Sequence, residues 1–414
     1  MRLSPQFQCL SVRELQEVAG TSKQWRLVAF EAFAFWRSKP GIYLVGGCCD
    51  GQHPANAKAV KTVRKYDVIG DAWIPCASLR KARDHLGLVG YQGRLHALGG
   101  WSGNGSEPKN RASCETYEPR EDTWHTARHR LQTPRSGLAA AVSPSGTCFA
   151  LAGWGGAQQG FLASAEILQA EPPPPISPGS SLASPRSPIS RSLSIGAGSS
   201  SGAVKVEDGA GAKRGGSSSR GDGNGSASGS GGAASSSHSP QQGIASLSQV
   251  PVPPSFSLHM ARHCPAAAAL GRHLYLTGGS GTSPDAEAGA GAQPTSSVER
   301  LDMEEVEKWI GGWHRAHDPP HWEAGIARML LPRYRHALAA ANGRIYACGG
   351  QKVDGRATAS VEVYDPAKDE WQEVRPMNKP RFSHSVAELD GKICARRAPM
   401  RNMSTRACAC IPAA

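Results

Sequence analysis

The residues best suited to metal chemistry form a histidine-rich stretch, WHRAHDPPHW, at 313–322. Its histidines are His314, His317 and His321, and the i, i+3 spacing of the first two would place two ligands on one helical face. Two prolines interrupt the stretch and would break such a helix. We therefore interpret it as a solvated loop and predict neither a metal site nor a cofactor.

Motifs that would indicate catalysis are missing from the sequence. No G-x-S-x-G nucleophile elbow lies between a strand and a helix, and neither an H-E-x-x-H zinc motif nor a phosphate-binding G-x-x-x-x-G-K loop occurs. We predict no catalytic residue. The chain is expected to be a non-catalytic binding protein.

Eleven cysteines are spread along the chain without the paired C-x-x-C spacing of tetrahedral zinc sites. Several fall inside predicted strands, so we interpret them as free, buried thiols in a reducing compartment. The first residues lack the apolar core of a signal peptide, and no run approaches the roughly 18 apolar residues of a membrane span. We therefore expect no membrane association and a cytoplasmic protein, with the nucleus as a second location.

The formal net charge of +12 raises the question of a nucleic-acid partner. The first forty residues carry a net charge of +3 and the tail from Arg396 carries four arginines and no acid, and the excess forms no dense basic stripe. We therefore do not expect the chain to bind nucleic acid.

A short apolar phrase that ends in glycine occurs five times. The copies are GIYLVGG at 41–47, RLHALGG at 94–100, TCFALAG at 147–153, RHLYLTGG at 272–279 and RIYACGG at 344–350. The first three copies end 53 residues apart, and the later intervals are lengthened by inserted segments. Such a period indicates a repeat architecture. The glycines that mark it are Gly46, Gly47, Gly99, Gly100, Gly153, Gly278, Gly279, Gly349 and Gly350.

Aromatic residues provide a second marker of the repeat. A tryptophan stands ten or eleven residues before an arginine four times, as Trp73 and Arg83, Trp124 and Arg135, Trp322 and Arg333, and Trp371 and Arg381. Strands that contain a tyrosine precede three of these tryptophans, at Tyr66, Tyr117 and Tyr364. The third repeat lacks its tryptophan, and a Ser-, Gly-, Ala- and Pro-rich segment follows instead. We predict this segment to be disordered, because it has little to bury.

Each unit of about fifty residues contains four strand patterns. An apolar strand follows the arginine, a tight turn leads into the strand that ends in glycine, and the tyrosine and tryptophan strands complete the unit. Four short antiparallel strands per unit are typical of one blade of a β-propeller. The glycines allow the backbone to turn where blades crowd it, and the aromatic rings fill the space between blades. We therefore predict an all-β fold.

This combination of double glycine, tyrosine strand, tryptophan and arginine resembles the kelch repeat. The resemblance covers about 270 residues and implies five recognisable blades and a partial sixth; the ring would be either five-bladed with two spare strands or six-bladed and incomplete. We expect an N-terminal segment at 1–39, blades at 40–169, the insert at 170–250, further blades at 251–395 and a basic tail at 396–414.

The N-terminal segment carries a second resemblance. Six residues are spaced like the second half of an F-box, the helical module that docks on the adaptor of a cullin ubiquitin ligase: Leu15, Val18, Ser22, Trp25, Arg26 and Trp36. The end of the BACK helices that precede kelch repeats in BTB proteins is similar to the same stretch. A third interpretation is that EAFAFWR forms the first strand of the first blade.

The kelch resemblance also points to candidate ligand-binding residues. In kelch substrate receptors, a basic side chain two residues beyond the repeat arginine often lines the central opening and meets acidic peptides. The matching positions here are His85, Gly137, Cys264, Arg335 and Ser383. Arg335 is the residue best suited to bind a carboxylate or phosphate, and His85 is the second candidate.

The resemblance implies a protein-protein interaction module. We expect the substrate-recognition component of a cullin-RING E3 ubiquitin ligase, whose partners would be an acidic protein or peptide and a cullin or its adaptor. The alternative is a cytoskeletal protein that associates with actin, or a general scaffold without a ligase role.

Overall fold

The computed structural model describes most of the chain outside the predicted insert. The described residues are 12–21, 36–37, 41–48, 58–67, 69–103, 109–170, 247–282, 291–312, 319–389, 392–396 and 407–411. They contain 24 strands and two helices, and the strands pair antiparallel throughout. The prediction of an all-β fold is confirmed. The predicted disorder of the insert falls on residues outside the described part of the chain, except at its two ends, where Ala170 and Leu247–Val250 lie in strands.

The strands follow one another as separate antiparallel sheets. After helix α1 (Val12–Thr21), the first sheet contains β1 (Gly41–Val45), β2 (Val63–Asp67) and β3 (Ala72–Cys76). The second contains β4 (Gly87–Tyr91), β5 (Arg94–Leu98), β6 (Ser113–Glu118) and β7 (Thr123–Arg130). The third contains β8 (Ala139–Val142), β9 (Thr147–Leu151), β10 (Ala165–Ala170) and β11 (Leu247–Val250).

The second half of the chain repeats this order. Two interleaved small sheets contain β12 (Arg262–His263), β13 (Ala266–Leu270), β14 (His273–Thr277), β15 (Ser280–Gly281), β16 (Gln293–Pro294) and β17 (Val298–Asp302), and helix α2 (Met303–Ile310) follows. The next sheet contains β18 (Ala337–Ala341), β19 (Arg344–Cys348), β20 (Val361–Asp365) and β21 (Glu370–Val374). A hairpin of β22 (Ser385–Leu389) and β23 (Lys392–Arg396) comes next, and β24 (Ala407–Ile411) pairs with β1.

The first strands of the sheets are neighbours in a continuous series. Strand β4 lies beside β8, β8 beside β13, β13 beside β18, and β18 beside β22. Strand β24 lies between β22 and β4, so the series returns to its start. This arrangement brings one end of each inner strand to a common cavity.

The glycine pair after β19 has the conformation that the repeat pattern predicts. Gly349 and Gly350 have φ angles of 60° and 106°, which side chains rarely adopt. A Cβ on Gly350 would lie 2.8 Å from the Cβ of His336, and one on Gly349 would lie 2.5 Å from the carbonyl oxygen of Arg381. Because glycine has no side chain, the turn can pass close to both His336 and Arg381.

The tyrosine and tryptophan strands are tied to the preceding sheet through one aspartate. The Tyr364 hydroxyl donates to Asp369 Oδ1 at 2.7 Å, and the same oxygen accepts from the Ala327 amide at 3.0 Å. Trp371 Nε1 donates to the Ala327 carbonyl at 2.9 Å. Tyr117, Asp122, Trp124 and Ala77 repeat this arrangement. The aromatic residues thus connect adjacent sheets by hydrogen bonds as well as by packing.

The fourth repeat differs from the expected four-strand unit. Helix α2 follows β17 directly, because Asp302 caps it by accepting from the amides of Glu304 and Glu305. Met303 and Val306 lie on its buried side. Trp322, which was predicted to lie in the fourth strand, is buried against Phe256 at a ring distance of 6.4 Å. In the described residues, the expected fourth strand of this repeat is reduced to a single bridge between Arg300 and Glu323.

Two strands lie in segments for which no repeat strand was expected. Strand β11 occupies the end of the predicted insert and pairs with β10, with Ala170 opposite Leu247. The two ends of the insert are therefore adjacent in the sheet. Strand β24 lies in the predicted basic tail and pairs with β1 along all five residues. In the N-terminal segment, helix α1 contains Leu15, while most of the stretch that resembles an F-box or BACK helix lies outside the described residues.

Candidate functional site

A cavity of about 190 Å³ lies where the inner strands converge. The loops that lead into five inner strands contribute one residue each to its entrance. These residues are His85, Gly137, Cys264, Arg335 and Ser383. Their φ angles are 50°, 59°, 51°, 55° and 48°. The same left-handed conformation therefore recurs at each position, although the residue types differ.

A series of backbone hydrogen bonds joins these five residues around the entrance. The Gly137 amide donates to the His85 carbonyl at 2.9 Å, and the Cys264 amide donates to the Gly137 carbonyl at 2.7 Å. The Arg335 amide donates to the Cys264 carbonyl at 3.0 Å, and the Ser383 amide donates to the Arg335 carbonyl at 2.8 Å. Backbone pairing thus holds the entrance together, which leaves each side chain free to vary.

The repeat arginines anchor the loops on which the entrance residues lie. Arg83, Arg135, Arg262 and Arg333 are almost completely buried, and each precedes an entrance residue by two positions. In the third repeat, Arg135 Nη2 donates to Glu166 Oε1 at 2.6 Å and to Ser164 Oγ at 2.9 Å. Glu115, Glu299 and Glu362 pair in the same way with the other three arginines. The buried ion pairs give these four arginines a structural role.

The glutamate partners were not identified from the sequence, although a signal was present. Each belongs to a Ser-x-Glu triplet at the start of the tyrosine-type strand: Ser113 to Glu115, Ser164 to Glu166, Ser297 to Glu299 and Ser360 to Glu362. The serine hydroxyl and the carboxylate lie on the same side of the strand, because alternate residues face the same way. A buried arginine that is satisfied by both fixes the loop ahead of it.

His85 is held at the entrance by its neighbour in sequence. Its Nδ1 donates to Asp84 Oδ2 at 2.9 Å, and its amide donates to Asp84 Oδ1 at 2.9 Å. Burial opposes the charged form of the imidazole, but the Asp84 carboxylate outweighs it and raises the pKa of His85 to about 8. His85 is therefore largely a cation at neutral pH.

Arg335 is the second cation at the entrance. Its guanidinium lies 5.3 Å from the ring centre of Tyr334 and 6.0 Å from that of Phe382. Aromatic faces attract a guanidinium and hold its plane in place. Its Nε has no hydrogen-bond partner among the described residues. The group therefore retains donor capacity for a ligand.

A row of aromatic rings extends from the entrance across the adjoining loops. The ring centres of Trp154 and Phe161 are 5.2 Å apart, those of Phe161 and His263 are 5.4 Å apart, and those of His263 and Tyr334 are 6.1 Å apart. Tyr334 then contacts Arg335. Sequence reasoning missed this row because its members come from three separate repeats. It provides flat aromatic area beside Arg335, which suits an extended peptide.

The described residues contain no group of three or more ligating side chains that could hold a metal ion. Most of the histidine-rich stretch, including His314 and His317, lies outside them. Neither described helix has the length and apolar character of a membrane-spanning helix.

Comparison with known proteins agrees with this geometry. Residues 332–378 match the Kelch motif family. The chain is 30% identical over 98 residues to an F-box/kelch-repeat protein of Arabidopsis thaliana, which is 24% of this chain and 23% of the relative. It is 31% identical over 137 residues to human Kelch-like protein 33, 30% of this chain and 22% of the relative. It is 41% identical over 66 residues to Beta-scruin of Limulus polyphemus, 16% of this chain and 7% of the relative.

The matched region spans less than a quarter of the length of each of these relatives. The predicted resemblance to kelch-repeat proteins of the F-box and Kelch-like classes is confirmed, as is the all-β kelch-type fold. Kelch repeats indicate a protein-protein interaction module.

Proposed function

We propose that this kelch-repeat protein binds an acidic segment of another protein at the entrance formed by His85 and Arg335. The observation that carries the proposal is the pairing of two cations at one opening, each fixed by its own neighbours. Asp84 holds His85, and Tyr334 and Phe382 hold Arg335. A carboxylate or phosphate that enters the opening would meet donors on two sides without displacing an existing hydrogen bond of Arg335 Nε.

The same protein would act as the substrate-recognition component of a cullin-RING ubiquitin ligase. In that role the chain contributes no catalysis, because it holds a target near a ligase that is assembled on a cullin. The similarity to F-box/kelch-repeat and Kelch-like proteins supports this proposal. We further propose that it acts in the cytoplasm.

A second candidate is a cytoskeletal protein that associates with actin, or a scaffold without a ligase role. The matches to Beta-scruin and Alpha-scruin support this second candidate. Both candidates use the same recognition surface, and they differ in the complex that the rest of the protein joins.

Affinity purification of the full-length product from cells separates the two candidates. We expect cullin and its adaptor to be recovered with the wild-type protein and equally with Arg335→Gln, because the entrance binds the target and not the ligase. The target itself should be recovered with the wild type and lost with Arg335→Gln. Recovery of actin without cullin or adaptor, under conditions that retain a known cullin receptor, would replace the ligase role with the cytoskeletal one.

A further inference from the structure

Cys264 occupies one of the five entrance positions and lines the cavity. Its side chain is mostly enclosed, with 8% of its surface exposed. The adjacent entrance position is Gly137, where a Cβ would lie 3.0 Å from Cys264 Sγ. The absence of a side chain at Gly137 therefore gives the sulfur room to lie close to this entrance position.

Cationic groups surround this sulfur from three segments of the chain. His263 precedes Cys264 directly, while His85 and Arg335 act on the thiol from the neighbouring entrance positions. Burial alone would raise the pKa of the thiol, but these three groups outweigh it and lower the pKa to about 6. The carboxylate of Asp84, which is paired with His85, raises the pKa of that imidazole to about 8 and so keeps it charged near neutral pH.

The other titratable groups of the cavity do not change the pKa of the Cys264 thiol near neutral pH. Burial lowers the pKa of His384 to about 3, and burial lowers that of His336 well below its usual value. Both imidazoles are therefore neutral. They add no charge that would oppose or further favour the thiolate.

Other described cysteines have the opposite environment. Cys114, Cys148 and Cys348 lie inside strands and are at most 2% exposed. Burial raises the pKa of the Cys114 thiol to about 11 and those of Cys148 and Cys348 to about 12. They act as small apolar side chains of the core. Cys264 therefore differs from them both in position and in ionisation.

The cavity also has polar atoms that can receive a small molecule. Both ring nitrogens of His384 lack a hydrogen-bond partner among the described residues, although the side chain is only 8% exposed. The hydroxyl of Ser383 and Nε of Arg335 are likewise without partners in the described structure. All three residues line the same cavity as Cys264. They can donate to a carbonyl or carboxylate that is held beside the sulfur.

We propose that Cys264 is a nucleophilic cysteine and a modification site for small carbon electrophiles that carry a carbonyl or carboxylate next to the reactive carbon. The thiolate sulfur attacks this carbon and forms a sulfur–carbon bond. The bond from carbon to the leaving group breaks, and the leaving group departs with its electron pair. No oxidant and no proton transfer are needed. The reaction does not depend on which protein the entrance recognises.

The test uses iodoacetamide on the folded, full-length protein. The rate of alkylation at each cysteine is followed by mass spectrometry of peptides from pH 5 to pH 9. We expect Cys264 to react about 100-fold faster than Cys348 at pH 7, because Cys264 is mostly thiolate there and Cys348 is protonated. The pH profile of Cys264 should have a midpoint near 6.

Two comparisons distinguish an activated thiol from one that is merely accessible. Iodoacetate, which is anionic, should alkylate Cys264 at a higher rate than iodoacetamide does. Arg335→Gln should remove this difference in rate. His263→Gln should move the midpoint upward, because it removes a cation beside the sulfur. A midpoint at or above about 8.5, the value of an ordinary cysteine, or a rate no greater than that of Cys348 would overturn the proposal.

Discussion

Arg83 Nη2 donates to Glu115 Oε1 at 2.9 Å, and both side chains are shielded from solvent, with 0% and 1% of their surfaces exposed. Arg83 also donates to the carbonyl oxygens of Gly99 and Ser113, while the carboxylate accepts from the amides of Arg80 and Lys81. The pair therefore joins the glycine turn, the tyrosine strand and the loop that carries His85. Four such ion pairs fix four of the five entrance residues at their base.

Removal of the Glu115 carboxylate should leave the Arg83 guanidinium buried without its counter-charge. We expect Glu115→Ala to lower the free energy of unfolding by about 3–5 kcal/mol. Glu118→Ala, on the same strand, removes the more exposed pair with Arg94 and should cost about 0–1 kcal/mol. Denaturation in urea measures both. Equal effects of the two substitutions would contradict the structural role of the buried pair.

A substitution at Gly350 tests the glycine turn. Gly350→Ala should lower the free energy of unfolding by about 2–5 kcal/mol, because it adds backbone strain and presses on His336. Gly343→Ala is the matched control in the preceding hairpin. Its φ angle is also positive, at 72°, but a Cβ there meets nothing within 4 Å, so the cost should be only about 1–2 kcal/mol. A Gly350→Ala variant as stable as Gly343→Ala would show that the close approach is absent.

The charge of His85 should depend on Asp84. In Asp84→Asn, burial and the charge of Arg335 still lower the pKa of His85 and only the Cys264 thiolate still raises it, so the pKa should fall from about 8 toward the usual 6.5. NMR titration of the His85 ring protons measures this directly. A pKa that stays near 8 in the variant would mean that another group supplies the charge.

The pair of Asp84 and His85 also predicts how the free energy of unfolding depends on pH. The pKa of His85 is higher in the folded state, so protonation of His85 stabilises that state. This stabilisation is complete below the unfolded pKa of 6.5 and is lost as the pH rises through about 8. The difference in unfolding free energy between the wild type and Asp84→Asn should therefore be on the order of 2 kcal/mol below pH 6.5 and should shrink toward pH 8. A difference that grows with pH would contradict this assignment.

Binding of an acidic peptide should depend on Arg335. We expect Arg335→Gln to weaken the binding of a glutamate-rich peptide by about tenfold to a hundredfold, which corresponds to the loss of a charged hydrogen bond of about 1.5–3 kcal/mol. Arg344→Gln is the control, because Arg344 is half exposed and pairs with Asp365 on β20. Isothermal titration calorimetry measures both affinities. Equal affinities of Arg335→Gln and wild type would place the acidic ligand elsewhere.

The repeated unit was predictable from the sequence because its signals are local. The stretch RIYACGG forms strand β19 and a glycine turn. Both depend on a few adjacent positions, namely the alternating apolar residues and the glycines Gly349 and Gly350, which adopt positive φ angles. The paired tyrosine and tryptophan strands at Tyr364 and Trp371 followed for the same reason. Helix α2 was not predicted, because its eight residues gave too short a pattern to stand out from the expected strand.

The composition of the entrance could be predicted only in part. The offset of two residues from each repeat arginine identified His85 and Arg335 as candidates, and the structure brings both to one cavity. The same offset identified the position of Cys264, but nothing in the sequence indicated that its thiol would be ionised. The lowered pKa of this thiol depends on the adjacent His263 and also on His85 and Arg335, which lie far from Cys264 along the chain.

The sequence by itself therefore determined the strands that end in glycine, their turns and the residues that carry the repeat, because each of these depends on neighbours along the chain. Only the tertiary structure decided which Ser-x-Glu triplet satisfies each buried arginine and which side chains share the entrance. Hydrogen bonds, burial and charge act across space. They join residues such as His85 and Arg335 that belong to different sheets.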